Sequence, residues 1–188
     1  EFTMVEWYRP WNEPESVMED CEGWLLSLAA GTSLSYQGTM LDLSPPWPRI
    51  RFLQALAERG GIIEPERLTP EELLRALVER VEPTLGRERP EFLTHYPMTM
   101  ASLARTNADD PGVADRFELY AGGLELGNGF GELTDPHEQR RRFESDNAKR
   151  EATGKKTMPI DEAFLAALES GMPPSSGIAV GFDRIAML

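Results

Sequence analysis

Apolar positions along the chain repeat with two periods, and each period predicts its own kind of element. Helical spacing appears first over residues 14–30. There Val17, Met18, Cys21, Trp24, Leu25 and Leu28 form one stripe between Pro14 and Gly31. A second helix is predicted after Thr69-Pro70-Glu71-Glu72, which supplies a cap, a first-position proline and a glutamate that reaches back. Leu73, Leu74, Leu77, Val78 and Val81 would be its buried face, with Pro83 closing it. Residues 50–59 read as a short helix stopped by Gly60-Gly61. Asp135-Pro136-His137-Glu138 repeats the capping box and opens a long polar helix to about Thr153. Asp161 starts one more, through Glu169, with Gly171 as its stop.

Period-two alternation predicts the strands. Residues 33–43 suit a short strand pair around Gln37-Gly38, followed by the rigid connector Ser44-Pro45-Pro46-Trp47-Pro48. Residues 92–96 read as a strand, and 98–105 as a loop or short helical turn. Phe2, Met4, Trp7 and Tyr8 give the opening segment strand character, and so apolar a strand predicts partners upstream of Glu1. Glu6 and Tyr8 share one face of it.

The densest chemistry lies in residues 116–135. Residues 117–121 and 124–130 are strand-like, and Gly122-Gly123 suits a two-residue turn with positive φ. Regular pairing places Ala121 opposite Leu124, Tyr120 opposite Glu125 and Glu118 opposite Gly127. Glu118 and Glu125 are then diagonal neighbours on one face, where like charges repel unless something positive lies between them. A divalent metal, alone or with phosphate, would fit carboxylate oxygens. Asn128, Phe130 and Glu132 have the opposite parity, so one pocket requires an irregularity near Gly127-Asn128-Gly129. A hydrogen-bonder, an aromatic wall and a carboxylate would then suit a basic amino acid. The same spacing also suits a solvated hairpin with surface acids.

Residues 177–188 end the chain with a second distinctive pattern. Ile178, Val180 and Phe182 alternate with Gly177, Ala179 and Gly181, so one strand face is apolar and the other nearly bare. A bare face admits a flat ligand or a closely packed backbone. Arg184 follows at the edge, placed to bind phosphate.

Composition narrows the classes. The 188 residues suffice for one domain with a sizeable core, and no internal boundary or repeat appears. Cys21 is the single cysteine, which excludes a disulfide framework and favours a reducing, cytoplasmic setting. There is no signal peptide and no membrane-spanning apolar run. The net charge of −13 repels nucleic-acid backbones unless a local patch intervenes. Arg140-Arg141-Arg142 with Lys149, Arg150, Lys155 and Lys156 is the one dense basic patch, and it reads as a solvated helix face.

On these motifs the chain resembles the class II aminoacyl-tRNA synthetases. GIAVGFDRIAML is similar to their motif 3, EFTMVEWY to the second half of motif 2, and RFELYAGGLELGNGFGELTD to the matching stretch of lysyl-tRNA synthetases. The resemblance implies an α+β fold, an antiparallel sheet flanked by helices, that joins an amino acid to ATP with Mg2+ as an aminoacyl adenylate. It implies that Phe2 stacks on adenine, that Glu6 and Tyr8 contact the amino acid, and that Glu118 and Glu125 hold metal and ATP beside the Leu126 backbone. It further implies that Asn128 meets the substrate carboxylate, Phe130 forms a wall and Glu132 pairs with the side-chain ammonium. Gly181 would admit adenosine and Arg184 would bind the γ-phosphate, with Arg184 and Glu125 the catalytic pair. Ala179, Met100-Ala101-Ser102-Leu103-Ala104-Arg105, Glu132-Leu133-Thr134-Asp135 and Glu6-Trp7-Tyr8-Arg9-Pro10 resemble the shorter paralogous family that lysylates elongation factor P. That family implies lysine or β-lysine as substrate, elongation factor P rather than tRNA as acceptor, and a homodimer. The match begins within motif 2 and ends within motif 3, so the catalytic domain would be incomplete. A tRNA-charging synthetase core and a non-catalytic regulatory relative are the alternatives.

Overall fold

A computed structural model describes residues 1–188. Six strands form the main sheet: β1 (Met4–Pro10), β4 (Arg49–Arg51), β5 (Glu91–Pro97), β6 (Val113–Ala121), β7 (Leu124–Gly131) and β8 (Ser175–Gly181). Their order is β1-β8-β7-β6-β5-β4, and only β4 and β5 run parallel. A separate two-stranded sheet joins β2 (Ser33–Tyr36) to β3 (Thr39–Asp42). The helices are α1 (Pro14–Ala29), α2 (Phe52–Glu58), α3 (Pro70–Ala76), α4 (Pro136–Ala152), α5 (Glu162–Glu169) and α6 (Phe182–Met187). The expected α+β class and mostly antiparallel sheet are what the chain adopts.

Period-two patterning assigns the two faces of the sheet to different uses. Phe92, Phe117, Leu119, Leu126, Ile178 and Val180 point to one face, where Val17, Met18, Cys21 and Leu25 of α1 and Trp47 of the connector bury them. Each such side chain contributes roughly 1.5–3 kcal/mol when fully buried. On the opposite face α2, α3 and the turn after it cover Leu93, Tyr96 and Tyr120. That second layer covers the β4–β5 side, leaving the β7, β8 and β1 part of this face accessible.

Several expectations need correction. One partner of β1 comes from within the chain, β8 at its far end; the other edge of β1 is open, where an upstream partner was expected. A three-residue strand, β4, precedes the helix expected at residue 50, too short to register as a pattern. The capped helix at Thr69 forms its box but stops at Ala76, then continues as a wider turn over Leu77–Val81 and a tight one over Glu82–Thr84. Pro83 cannot donate the bond that an α-helix would need there. Leu28, Leu74, Val78 and Phe182 are exposed, not buried, because nothing packs over their side of each element. Asp135 caps α4, but Glu138 does not reach back; Arg141 and Arg142 hold its carboxylate. That pairing, with Arg140 on Glu162, makes the arginine run a neutralised helix face.

Candidate active site

The turn at Gly122-Gly123 has φ of 61° and 77°, the left-handed values predicted for it. Tyr120 faces Glu125 as expected, but Leu119 faces Gly127 and Glu118 faces Asn128. Leu126 is therefore the extra residue of a β-bulge, slightly before the glycines where irregularity was expected. The bulge does what parity required. It turns Glu125, Asn128 and Phe130 to the same face while Leu126 stays buried on the other.

The ladder then sets the candidate residues in rows across four strands. Glu6, Ala179, Asn128 and Glu118 are successive partners on β1, β8, β7 and β6. Tyr8, Gly177, Phe130 and Arg116 form the adjacent row. Met4 and Gly181 pair on the other side of the first row, beside Glu125 and Tyr120. Chain ends distant in sequence thus build one surface.

A cavity of about 570 Å³ lies along the upper rows, lined by Phe2, Met4, Glu125, Asn128, Phe130, Ala179, Gly181 and Arg184 among others. Phe2 is held at its rim because Thr3 takes part in two contacts with the start of α6: its N–H donates to Asp183, and its carbonyl accepts from Phe182. The bare face of β8 is only partly bare. A methyl on Gly177 would strike the Tyr8 ring at 2.5 Å, whereas one on Gly181 would meet nothing closer than the stem of Arg184 at 3.6 Å. Gly177 serves packing and Gly181 keeps the cavity open. Glu6, Tyr8, Glu118 and Glu132 lie outside this cavity's lining, Glu118 buried behind it. Glu6, Tyr8 and Glu132 lie close together nonetheless, since the charges of Glu132 and Glu6 add to burial in raising the Tyr8 phenol.

The charges divide into two groups. At the first, Arg184 donates to the Glu125 backbone carbonyl and lies 3.4 Å from its carboxylate. Burial and the Glu118 charge raise the Glu125 carboxyl, and Arg184 opposes them. Glu118 is buried; Arg116 holds one of its oxygens at 2.7 Å and the Tyr120 hydroxyl the other at 2.7 Å. At the second, Glu132 makes no ion pair, and burial pushes its carboxyl up to about 7, with only distant relief from Arg105.

Three contributors were not foreseen: Arg116, Tyr120 and Glu82. Glu82 stands 3.5 Å from the Tyr120 hydroxyl, and burial with the charges of Glu118 and Glu125 raises its carboxyl. Only Arg116 and Tyr120 had a visible signal, their shared parity with Glu118 on β6. No group of three or more His, Cys, Asp or Glu side chains is arranged to hold a metal by itself. The acceptors that do face this end suit Mg2+, which keeps few protein carboxylates and completes its shell with phosphate and water. A second cavity, about 600 Å³, lies between the start of α1 and Arg105. Its polar groups already pair among themselves: Arg105 with Glu13 and Asp115, and Asn107 with Asp115.

The family model described as tRNA synthetases class II (D, K and N) matches residues 1–188. The elongation factor P–(R)-beta-lysine ligase of Proteus mirabilis (strain HI4320) is 45% identical over 100% of this chain and 61% of its own length. The proteins of the same name from Edwardsiella ictaluri (strain 93-146) and Photorhabdus laumondii subsp. laumondii are 45% and 44% identical with the same coverage. The chain therefore spans about three fifths of the length of these relatives. No helix is long and apolar enough to cross a membrane.

Proposed function

The chain belongs to the class II tRNA synthetase family, and from that premise we propose that it activates a lysine-type amino acid, (R)-β-lysine foremost, and transfers it to a lysine of elongation factor P. The observation that carries the reading is Glu132, a partly buried carboxylate with no cationic partner, on the side of the sheet that also carries the Glu118–Glu125 pair, with Arg184 of α6 over it. A buried carboxylate without a partner is costly, and a substrate ammonium supplies the missing one. The names of the three relatives support the acceptor and the β-isomer.

The roles follow from position. Phe2 and Gly181 border the space for adenosine, and Leu126 presents its backbone there. Asn128 orients the amino acid carboxylate, whose oxygen attacks the α-phosphorus of ATP. The bond to the β-phosphate breaks and pyrophosphate departs, leaving an aminoacyl adenylate. Arg184, half exposed, can leave Glu125 and pair with the departing phosphates. Bound Mg2+, for which Glu118 and Glu125 are the available carboxylates, would neutralise phosphate charge. Glu6 and Tyr8 face the amino group, Phe130 walls the chain and Glu132 pairs with the ammonium. The neutral amine of the acceptor lysine then attacks the acyl carbon; AMP leaves with the bonding pair, and an amide forms as the amine sheds its proton. The protein would act as a cytoplasmic homodimer.

The test is incubation of the full-length protein with ATP, Mg2+, (R)-β-lysine or lysine, and either elongation factor P or tRNA. A mass increase on elongation factor P with uncharged tRNA is expected. Efficient tRNA charging with no change in elongation factor P would make it a synthetase.

A further inference from the structure

We propose that Arg116 is a positioning residue that sets the polarity of the amino acid site and ties it to the carboxylates at the phosphate end. The proposal rests on the amino-acid-activating reading above. Arg116 lies on β6, opposite Phe130, one row from the Asn128–Glu118 pair. Its side chain is 17% exposed and makes contacts in four directions. Nη1 donates to the Met100 carbonyl at 2.7 Å, Nη2 to Glu118 at 2.7 Å and Nε to Asn128 Oδ1 at 3.4 Å. The Tyr96 ring lies beneath the guanidinium, 4.4 Å from its centre.

The contact with Asn128 is the longest, and its importance is directional. A guanidinium has only donors, so the amide atom that faces it must be the oxygen. Asn128 lines the 570 Å³ cavity. With Oδ1 turned to Arg116, the NH2 group is left as the polar tip available to a ligand. That tip attracts a carboxylate. The reverse orientation would offer an oxygen and repel one. The same guanidinium fixes Glu118, so one side chain orients a group for the amino acid and a group for the metal and phosphates.

Lysine at this position keeps the charge near Glu118 but cannot span Met100, Glu118 and Asn128 from one plane. Arg116→Lys in the full-length protein should raise the KM for lysine or β-lysine by roughly 10- to 100-fold, the range of one hydrogen bond to a charged group. The KM for ATP should move much less. Calorimetric binding of the amino acid without nucleotide or metal should weaken in parallel. In an Asn128→Ala background, Arg116→Lys should add almost nothing to the amino acid effect, because the group it orients is gone. Asn128→Asp provides a second test that leaves the arginine contact in place. It should lose the amino acid while the thermal midpoint stays near that of the unaltered protein. Additive losses in the double variant, an unchanged amino acid KM in Arg116→Lys, or undiminished binding in Asn128→Asp would each overturn the proposal. If the unaltered protein bound no lysine-type amino acid at all, the functional reading would fail first and take this proposal with it.

Discussion

The covered and open parts of the sheet treat buried carboxylates in opposite ways. Glu22 and Glu91, away from the site, are buried and each has an arginine, Arg49 and Arg59; Glu118 of the site is buried against Arg116. Glu22 also accepts from the Trp47 backbone, and Glu91 from that of Gly86. These pairs fix one arrangement of strands, helices and connectors. Glu132, just after β7 on the open face, is only partly buried and has no arginine on it. The contrast separates structure from function. Glu22 and Glu91, satisfied by their own chain away from the cavity, hold the fold, whereas Glu132, left unsatisfied, is available to a ligand at a cost to the free protein.

The comparison can be broken most severely at Glu132 itself. Glu132→Gln should weaken binding of lysine-type substrates by about 3–5 kcal/mol, the cost of removing one member of a desolvated ion pair. ATP affinity, measured by titration on the same variant, should barely change. Equal losses for both ligands would assign Glu132 to the fold.

Removing the partner on the covered side tests the other half. Arg59→Met strands Glu91 in the interior and should lower unfolding free energy by about 3 kcal/mol, discounted because Arg59 is partly exposed. Urea denaturation of Arg59→Met and of the double variant with Glu91→Gln would measure it, and the second change should restore part of the loss.

Stability should also respond to pH through Glu132. Its folded pKa is raised from 4.5 to about 7, so its contribution is fully present below about 4.5 and lost as pH rises through 7. At pH 8 Glu132→Gln, which carries no charge, should be more stable than the unaltered protein by about 2 kcal/mol, less than the full shift implies because Glu132 is only partly buried. The difference should vanish towards pH 4.5. A substitution that harms substrate binding and helps the free fold is what a site group predicts. Equal or lower stability of the variant at pH 8 would remove the burial argument.

The smallest effect expected is at Ala179, which sits between Glu6 and Asn128 in the row. Ala179→Gly removes one methyl group from that face and should relax the preference between β-lysine and lysine by about 1 kcal/mol. The ratio of kcat/KM values for the two isomers reads it directly.

Much of this is legible in the sequence, and the exceptions have physical reasons. The Gly-Gly turn and its flanking alternation fixed the hairpin, and the Thr69 and Asp161 caps fixed helix starts, because each is a local signal. The bulge at Leu126 was not local. It depends on Leu126 being drawn into the core beneath β7 while Glu125 and Asn128 remain on the other side. The two ends of the chain could not be seen to pair, since β1 and β8 are separated by nearly the whole sequence. Glu82 arrives from the turn after α3, where its only cue is a proline that shortens a helix. Candidate residues on β7 and β8 were readable from parity; those that position them were not, because positioning is a tertiary property.

The central claim is that the open face takes an amino acid with a cationic side chain and activates it with ATP. ATP–pyrophosphate exchange by the full-length protein, with lysine and (R)-β-lysine set against a neutral isostere that lacks the side-chain ammonium, tests this most directly. Exchange driven by the two lysines and near-background exchange with the isostere are expected, a discrimination that Glu132→Gln abolishes. Equal exchange with all three, or discrimination that survives Glu132→Gln, would contradict it.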